Sequence, residues 1–238
     1  MKAMILAAGL GTRLKPFTDH HPKALALVNN KTILQRNIAY LKSFGVTDII
    51  VNVHHFADQI LTHLEANKNF GVNVSISDES HEVLETGGGL KKAAWFFNDG
   101  NPFILMNVDI LTNMDLGAMM RQHLEKKPLA TLAVSRRESS RCFLFNTQDE
   151  LCGWRNKLTG EEKISRREEP LCPGSFSGIH IIDPAIFSMI NQEGKFSMVD
   201  VYLDLAKTQR ILAFDHTGSQ LMDVGKPESI IEAEKLFI

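Results

Sequence analysis

Five residues near the start of the chain have types and a spacing that suit a phosphate ligand. Gly9 and Gly11 follow an apolar run, and the cations Arg13, Lys15 and Lys23 come after them. Glycines let backbone N–H groups approach phosphate oxygens, because no Cβ stands in the way. Arginine offers a planar fork to these oxygens, and lysine acts as a point charge. A triphosphate-binding loop is therefore expected, with a plain glycine turn between strand and helix as the alternative.

The spacing in this loop differs from two standard phosphate motifs. A dinucleotide-binding fingerprint needs a third glycine where this chain has Leu14. A P-loop needs four residues between its glycines and then Lys-Ser or Lys-Thr, which this chain lacks. Pro16 and Pro22 disfavour a long regular helix in this segment. An extended cationic loop is predicted instead.

Two aspartates could hold a metal ion beside the loop. Asp109 follows the apolar residues 103–108, and Asp223 follows Leu221 and Met222. We expect both aspartates at strand ends on the same edge of a sheet. Magnesium binds to one or two carboxylates together with phosphate oxygens and water. Taken singly, each aspartate could equally cap a following turn or helix.

The elements that must position these residues alternate between strand and helix patterns. Strands are predicted at residues 4–8, 48–53, 72–77, 103–108, 129–135, 179–182, 211–214 and 220–224. Helices are predicted at residues 32–44, 56–66, 88–97, 115–126, 184–190, 199–208 and from Pro227. This order predicts an α/β fold: a Rossmann-like, mostly parallel twisted sheet with helices on both faces. Ligands of such sheets bind beyond the carboxyl ends of the strands, where the loop and Asp109 lie.

Residues 136–173 differ in composition from the rest of the chain. Arginines and glutamates crowd this segment, and turn signals occur at residues 149–150 and 159–160. A charged hairpin with loops is predicted there. We expect it to be an elaboration of a single domain that spans residues 1–238.

Composition narrows the classes of protein and partner. A net charge of −2 over 238 residues argues against a nucleic-acid binder that works by bulk charge. No apolar run approaches the roughly 20 residues of a membrane span, so no membrane partner is expected. Cys142, Cys152 and Cys172 form no C-x-x-C pair, which argues against a zinc site or a disulfide framework. A reducing cytoplasm is the expected location.

The opening motif resembles the signature of the sugar-1-phosphate nucleotidylyltransferases. It reads L-A-A-G-L-G-T-R-L-K-P-F-T at residues 6–18, followed by P-K at 22–23. The resemblance continues along the chain in E-T-G-G-G at 85–89, N-V-D at 107–109, F-S-G-I at 176–179 and D-V-G at 223–225. It implies the nucleotide-diphospho-sugar transferase fold. It also implies a reaction in which a sugar 1-phosphate displaces pyrophosphate from a nucleoside triphosphate. A nucleotide-sensing homologue without turnover is the alternative from another class.

The resemblance implies roles for individual residues. Asp109 and Asp223 match the family's metal ligands, so Mg²⁺ is the expected cofactor. Arg13 and Lys23 match its catalytic cations, with Arg13 on the leaving pyrophosphate. The expected nucleotide-binding residues are Leu6, Ala7, Ala8, Gly9, Gly11, Thr12, Arg13, Lys23, Gly87 and Asn107. The expected contacts to the sugar phosphate are Asn107, Ser177 and Gly178.

One departure from the family pattern bears on the sugar. Many relatives carry E-K-P where this chain has E-E-P at residues 168–170, so a carboxylate replaces the lysine on the sugar phosphate. Arg155, Arg166 and Arg167 are candidate replacements. Together with L-E-T-G-G-G and F-S-G-I, the missing lysine resembles family members that combine UTP with N-acetylmuramate 1-phosphate. Members that combine GTP with mannose 1-phosphate are the alternative.

Overall fold

The computed structural model describes residues 1–238 and contains fourteen strands and six α-helices. The strands are β1 (Lys2–Leu6), β2 (Leu27–Val28), β3 (Lys31–Thr32), β4 (Asp48–Val53), β5 (Asn73–Asp78), β6 (Phe103–Asn107), β7 (Ile110–Thr112), β8 (Ala130–Ser135), β9 (Arg141–Phe145), β10 (Leu151–Asn156), β11 (Glu162–Ile164), β12 (Cys172–Ile182), β13 (Ile211–Asp215) and β14 (Leu221–Asp223). The helices are α1 (Ile33–Ser43), α2 (Ala57–Ala66), α3 (Glu85–Lys92), α4 (Leu116–Lys126), α5 (Met198–Leu205) and α6 (Pro227–Leu236).

Four parallel strands form one half of the main sheet, in the order β6-β1-β4-β5. Their apolar runs are buried on both faces, which is typical of parallel strands covered by helices. Along β1, Ala3 and Ile5 pack into one hydrophobic cluster, whereas Met4 and Leu6 pack into a second cluster. The predicted α/β fold class is confirmed, and all four of these strands were predicted within two residues of their observed ends.

The other half of the sheet is organised around one long antiparallel strand. β12 lies between β6 and β8 and runs antiparallel to both, while β8 pairs in parallel with β13. The prediction of a strand at 179–182 therefore found only the last part of β12. A bulge interrupts the pairing with β8 between Phe176 and His180, where Gly178 adopts a φ of +75°. This bulge breaks the alternation that would have indicated a longer strand.

The charged segment at residues 136–173 is more regular than predicted. It forms β9, β10 and β11, and these antiparallel strands continue the main sheet from the first residues of β12. The hairpin prediction is correct for β9 and β10, and the third strand was missed. The single domain stays a prediction, which is supported by the continuous sheet from β11 to β5.

Two predicted helices differ from the observed elements. Residues 184–190 form a 3₁₀ helix over Pro184–Ser188, and residues 88–97 divide into α3 and a 3₁₀ turn over Ala94–Phe96. The helix α3 ends at Lys92, five residues before the predicted end, and aromatic rings pack together in the residues that follow. The ring of Phe97 stacks on Phe103 with centroids 3.8 Å apart.

The loop after β1 contains no α-helix, as its prolines predicted. Three short 3₁₀ turns replace it, at Thr12–Leu14, Phe17–Asp19 and Lys23–Leu25. Gly11 adopts a φ of +62°, and a Cβ there would lie 2.8 Å from Thr18 Cγ2. The hydroxyl of Thr18 donates to the Gly11 carbonyl at 2.9 Å. The loop is thereby folded against itself, at a position that requires glycine.

Candidate active site

A cavity of about 370 Å³ opens at the carboxyl ends of β6, β1, β4 and β5. This is the edge at which open α/β sheets bind their ligands. Its lining includes seven of the predicted nucleotide-binding residues: Leu6, Ala7, Ala8, Gly9, Gly11, Lys23 and Asn107. The other lining residues are Asn52, Glu79, Val83, Glu85, Thr86, Val108, Asp109 and Ser197.

Backbone pairing brings the two predicted metal ligands together. The short strands β7 and β14, of which only β14 was predicted, place Asp223 opposite Ile110. The N–H of Val224 donates to the Asp109 carbonyl at 2.8 Å. Two aspartates that are 114 positions apart in the sequence thus become neighbours. The expected shared edge of one sheet is wrong in detail, because β14 pairs with β7 in a separate two-stranded sheet.

The cations of the loop face these aspartates. Arg13 Nη2 lies 3.9 Å from Asp109 Oδ2 and 3.7 Å from Asp223 Oδ2. The Lys23 ammonium donates directly to the Asp109 carboxylate and is largely buried. The structure thus brings two cations and two carboxylates together; Lys23 and Asp109 line the cavity, whereas Arg13 and Asp223 do not. Thr12 is exposed and does not line the cavity either.

The donor set of the two aspartates fits Mg²⁺. Both offer hard carboxylate oxygens, and the chain holds no group of three or more metal-binding His, Cys, Asp or Glu side chains. Magnesium commonly takes one or two protein carboxylates and completes its shell with substrate phosphates and water. Asp109 and Asp223 are the residues that would hold such an ion.

An amide on β4, which the sequence analysis did not single out, fixes the start of the loop. Asn52 Oδ1 accepts hydrogen bonds from the N–H groups of Ala7 at 2.6 Å and Ala8 at 3.3 Å. Its Nδ2 donates to Glu79 Oε1 at 2.7 Å, and Glu79 Oε2 accepts from the N–H of Leu84 at 3.1 Å. Ala7 and Ala8 therefore line the cavity with N–H groups that are already bonded within the protein.

The sequence did carry a signal for this network. Asn52 is a polar residue inside the β-branched run D-I-I-V-N-V, and Glu79 stands directly after β5. Polar groups inside a buried strand need partners, since an unpaired buried polar group is costly. The partner in this case is the backbone just after β1, which a single sequence does not reveal.

The glycines of α3 make room for protein rather than for an exposed ligand surface. The N–H of Gly87 donates to the Phe196 carbonyl at 2.9 Å, and a Cβ on Gly87 would lie 2.4 Å from the Phe196 ring. A Cβ on Gly88 would lie 2.2 Å from the carbonyl oxygen of Gly194. Gly87 does not line the cavity, and its contact with base or ribose stays a prediction.

The predicted sugar contacts lie beside the cavity wall. Gly178 approaches Asn107 so closely that a Cβ would stand 3.1 Å from Asn107 Nδ2. The Ser177 hydroxyl is buried and hydrogen-bonded to His216 Nε2 at 2.7 Å. Burial lowers the pKa of His216 below its usual range, so the imidazole is neutral at pH 7. Substrate contacts by Ser177 and Gly178 stay predictions.

No helix of the protein combines the length and the apolar character that crossing a membrane requires.

Comparison with known proteins gives the family of this chain. The nucleotidyl transferase family model matches residues 2–237. The N-acetylmuramate alpha-1-phosphate uridylyltransferase of Caulobacter vibrioides is 31% identical over 98% of this chain and 95% of its own length. Probable mannose-1-phosphate guanylyltransferase 2 of Oryza sativa subsp. japonica is 27% identical over 100% of this chain and 65% of its own length.

A solved structure matches over the same extent. The crystal structure of HddC from Yersinia pseudotuberculosis complexed with GMP-PN superposes with a TM-score of 0.79 at 25% identity. The match covers 100% of this chain and 99% of that chain. Since the family model spans nearly all residues and the fold agrees, the chain belongs to the nucleotidyl transferase family, as its motifs predicted.

Proposed function

We propose that this nucleotidyltransferase combines UTP with N-acetylmuramate 1-phosphate and releases pyrophosphate. The reaction rests on the grouping of Arg13, Lys23, Asp109 and Asp223, of which Lys23 and Asp109 line the cavity. The choice of substrates is supported by the Caulobacter uridylyltransferase, which is 31% identical over nearly the whole chain.

The chemistry is an in-line displacement at the α-phosphorus. An oxygen of the sugar 1-phosphate forms the new P–O bond, and the bond from the α-phosphorus to the pyrophosphate oxygen breaks. The nucleophile is already an anion near neutral pH, since the second pKa of a phosphomonoester is about 6. The protein needs no base and must instead position two anions and offset their repulsion.

The cations of the loop carry that electrostatic task. In this proposal Arg13, whose guanidinium is about half exposed, holds the departing pyrophosphate. Lys23, which is largely buried beside Asp109, neutralises charge near the reacting phosphorus. When bound by Asp109 and Asp223, Mg²⁺ would supply further charge neutralisation and phosphate orientation. Because Arg13 and Lys23 lie beside Asp109 and Asp223, binding of substrate and metal would exchange partners within this group.

Two alternatives are favoured by specific observations. GTP with mannose 1-phosphate is supported by the 27% identity to the rice guanylyltransferase over the whole of this chain. A nucleotide sensor without turnover is favoured by the carboxylate at position 169, where many family members carry a lysine. A cytoplasmic location is part of the proposal and rests on three unpaired cysteines.

A pyrophosphate-release screen of UTP, GTP, CTP and dTTP against a panel of sugar 1-phosphates tests the proposal. We expect the highest kcat/KM for UTP with N-acetylmuramate 1-phosphate. A higher value for GTP with mannose 1-phosphate would select the alternative. Release with no pair, while nucleotides still bind, would select the sensor.

A further inference from the structure

The sheet continues past Asp109 on the side away from the cavity. The cavity lies over β6, β1, β4 and β5, whereas the other neighbour of β6 is β12, followed by β8. Since β6 and β8 both run antiparallel to β12, their carboxyl ends lie at the same edge of the sheet. With a nucleotide in the cavity, a sugar whose phosphate is held at Asp109 can extend over β12 towards the end of β8.

Arg137 follows the carboxyl end of β8 and carries a charge without a carboxylate partner. It is exposed, and its Nη2 donates to the carbonyl of Phe176 on β12 at 2.9 Å. No aspartate or glutamate forms an ion pair with it, whereas the neighbouring Arg136 pairs with Asp215 at 3.3 Å. A guanidinium has several N–H donors in a planar fork, so one carbonyl leaves most of the fork open to an anion.

The bond to Phe176 holds the Arg137 charge close to the level of Asp109. Just beyond the paired part of β12, Gly178 still lies beside β6, because a Cβ there would stand 3.1 Å from Asn107 Nδ2. Continuing this register along β12 brings Phe176 to the level of Asp109. Arg137 follows β8 but leans back over β12, so its charge lies one to two strand spacings from Asp109, about 5–10 Å across the sheet.

The sugar phosphate of the proposed reaction carries a second anion at a matching distance. N-acetylmuramate differs from N-acetylglucosamine by a lactyl ether on C3, and the lactyl carboxylate is ionised at pH 7. The bonds from the phosphorus through C1, C2 and C3 to the carboxyl carbon span at most about 8 Å, since an extended chain advances about 3.6 Å every three bonds. The phosphate can therefore lie at Asp109 while the carboxylate reaches Arg137.

We propose that Arg137 binds the lactyl carboxylate and thereby selects N-acetylmuramate 1-phosphate over N-acetylglucosamine 1-phosphate. A carboxylate matches the guanidinium fork with two parallel hydrogen bonds, which an uncharged hydroxyl of the sugar cannot form. Arg136 is held by Asp215 and leaves this task to Arg137. The inference rests on the proposed function, because it assigns the choice of sugar in that same reaction.

Pyrophosphate release with UTP and each of the two sugar phosphates tests the inference on the whole protein. The wild type should favour N-acetylmuramate 1-phosphate by at least about tenfold in kcat/KM, on the scale of one hydrogen bond to a charged group. Arg137→Ala should remove this preference, chiefly by a higher KM for N-acetylmuramate 1-phosphate. Its kcat/KM for N-acetylglucosamine 1-phosphate and its KM for UTP should stay within about twofold of the wild type. Arg137→Lys keeps the charge without the fork and should retain part of the preference.

Arg136→Ala is the matched control, because it removes the same charge from the adjacent position and should keep the preference. If the bond from Arg137 to Phe176 only supports the fold of β12, Arg137→Ala will impair both sugars and UTP alike, which would overturn the inference. Loss of the preference in Arg136→Ala, or an unchanged preference in Arg137→Ala, would also overturn it and leave the proposed function standing. A wild type that does not turn over N-acetylmuramate 1-phosphate would reject the proposed function and this inference with it.

Discussion

The two halves of the sheet use their polar residues differently. In the parallel half, polar side chains at or just after the ends of buried strands converge on one cavity, namely Asn52, Glu79, Asn107 and Asp109. In the antiparallel arm formed by β9, β10 and β11, several charged side chains pair with other protein groups instead. Arg155 pairs with Glu162, and Lys163 pairs with Asp200. A polar residue that ends an apolar strand is therefore the better indicator of a site than a cluster of charges.

The candidate sugar-binding cations illustrate this difference. Arg166 lies 2.9 Å from Glu150 and also donates to the carbonyls of Ala206 and Gln209. It ties the antiparallel arm to the end of α5 and is already occupied. Arg167 is exposed and forms no ion pair. The charge-rich composition of the arm thus reflects its own assembly to a large extent.

The largest effect is expected at the aspartate pair. Asp109→Asn and Asp223→Asn should each lower kcat by about 100-fold or more, because a metal ligand and its charge are lost. The melting temperature should stay near that of the wild type. Asp149→Asn, in the exposed turn between β9 and β10, is the matched control in the antiparallel arm and should keep full activity. Near-normal turnover of either variant at saturating Mg²⁺ would remove that residue from the metal site.

Arg13→Ala should have the second largest effect on activity. We expect kcat/KM for the nucleotide to fall by about 100-fold, the scale of losing one donor from a charge-stabilising site. The KM for the sugar phosphate should change little, since Arg13 faces the aspartates and the phosphate loop. Arg121→Ala, an exposed arginine on α4, serves as the control. A change confined to the sugar-phosphate KM would contradict the role assigned to Arg13.

We expect buried histidines beside the antiparallel half of the sheet to make the fold sensitive to acid. Burial lowers the pKa of His123 to about 4 and that of His180 to about 3. Both stay neutral in the folded protein, bonded to Thr131 and Tyr202, whereas the unfolded chain takes up protons below about pH 6.5. Their stabilising contribution is present above pH 6.5 and is lost as the pH falls towards 4.

Urea unfolding between pH 7 and pH 5 checks this prediction. Below pH 6.5 the free energy of unfolding should fall by about 1 kcal/mol per pH unit for each histidine. His180→Asn keeps a hydrogen-bonding group for Tyr202 and should reduce this slope by the share of one histidine, since His123 and His216 still contribute. An unchanged slope would mean that other groups control the acid sensitivity.

Much of the fold could be predicted because burial on both faces leaves long apolar runs. The strand at 48–53 was predicted with its observed ends, and α2 and α4 were predicted within one residue at each end. The long strand β12 was not, because its bulge at Gly178 and its mixed partners break the alternation. The short strands β2, β3 and β7 were missed as well, since two or three residues carry no periodicity.

The site was predictable where a motif is local and less so where it depends on packing. Gly11, Arg13, Lys23, Asp109 and Asp223 were all singled out from residue type and spacing, and their roles stay predictions. Asn52 and Glu79 were missed, since their partners are distant in the sequence. The space that the glycines at 87–89 leave is filled by residues 194–196 and by the Glu79 side chain, and a ligand contact by Gly87 stays a prediction. A single sequence shows that glycine is needed but does not show what approaches it.

Gly88 on α3 and Gly160 between β10 and β11 differ in how closely other protein atoms approach them. Gly88→Ala would place a Cβ 2.2 Å from the Gly194 carbonyl, so residues 194–197 must shift, and Ser197 lines the cavity. We expect a loss of about 1–3 kcal/mol in the free energy of unfolding together with a lower kcat/KM. Gly160→Ala, at a φ of +73° with open space around it, should cost about 1 kcal/mol and leave activity unchanged. Equal activities of the two variants would show that the α3 contact does not shape the site.

The smallest effect is expected at Arg155. Its ion pair with Glu162 is exposed to solvent on both sides, and such pairs contribute about 0–1 kcal/mol. Arg155→Ala should therefore leave kcat/KM within about twofold of the wild type and barely alter urea unfolding.

Arg167→Ala is the informative partner variant, because Arg167 lies in the same arm without an ion pair and has its charge free for a ligand. A rise in the sugar-phosphate KM in Arg167→Ala alone would give the arm one functional cation among structural ones. A comparable rise in Arg155→Ala would mean that an ion pair of the arm opens to bind substrate, and the contrast between the two halves of the sheet would then fail on the sugar side.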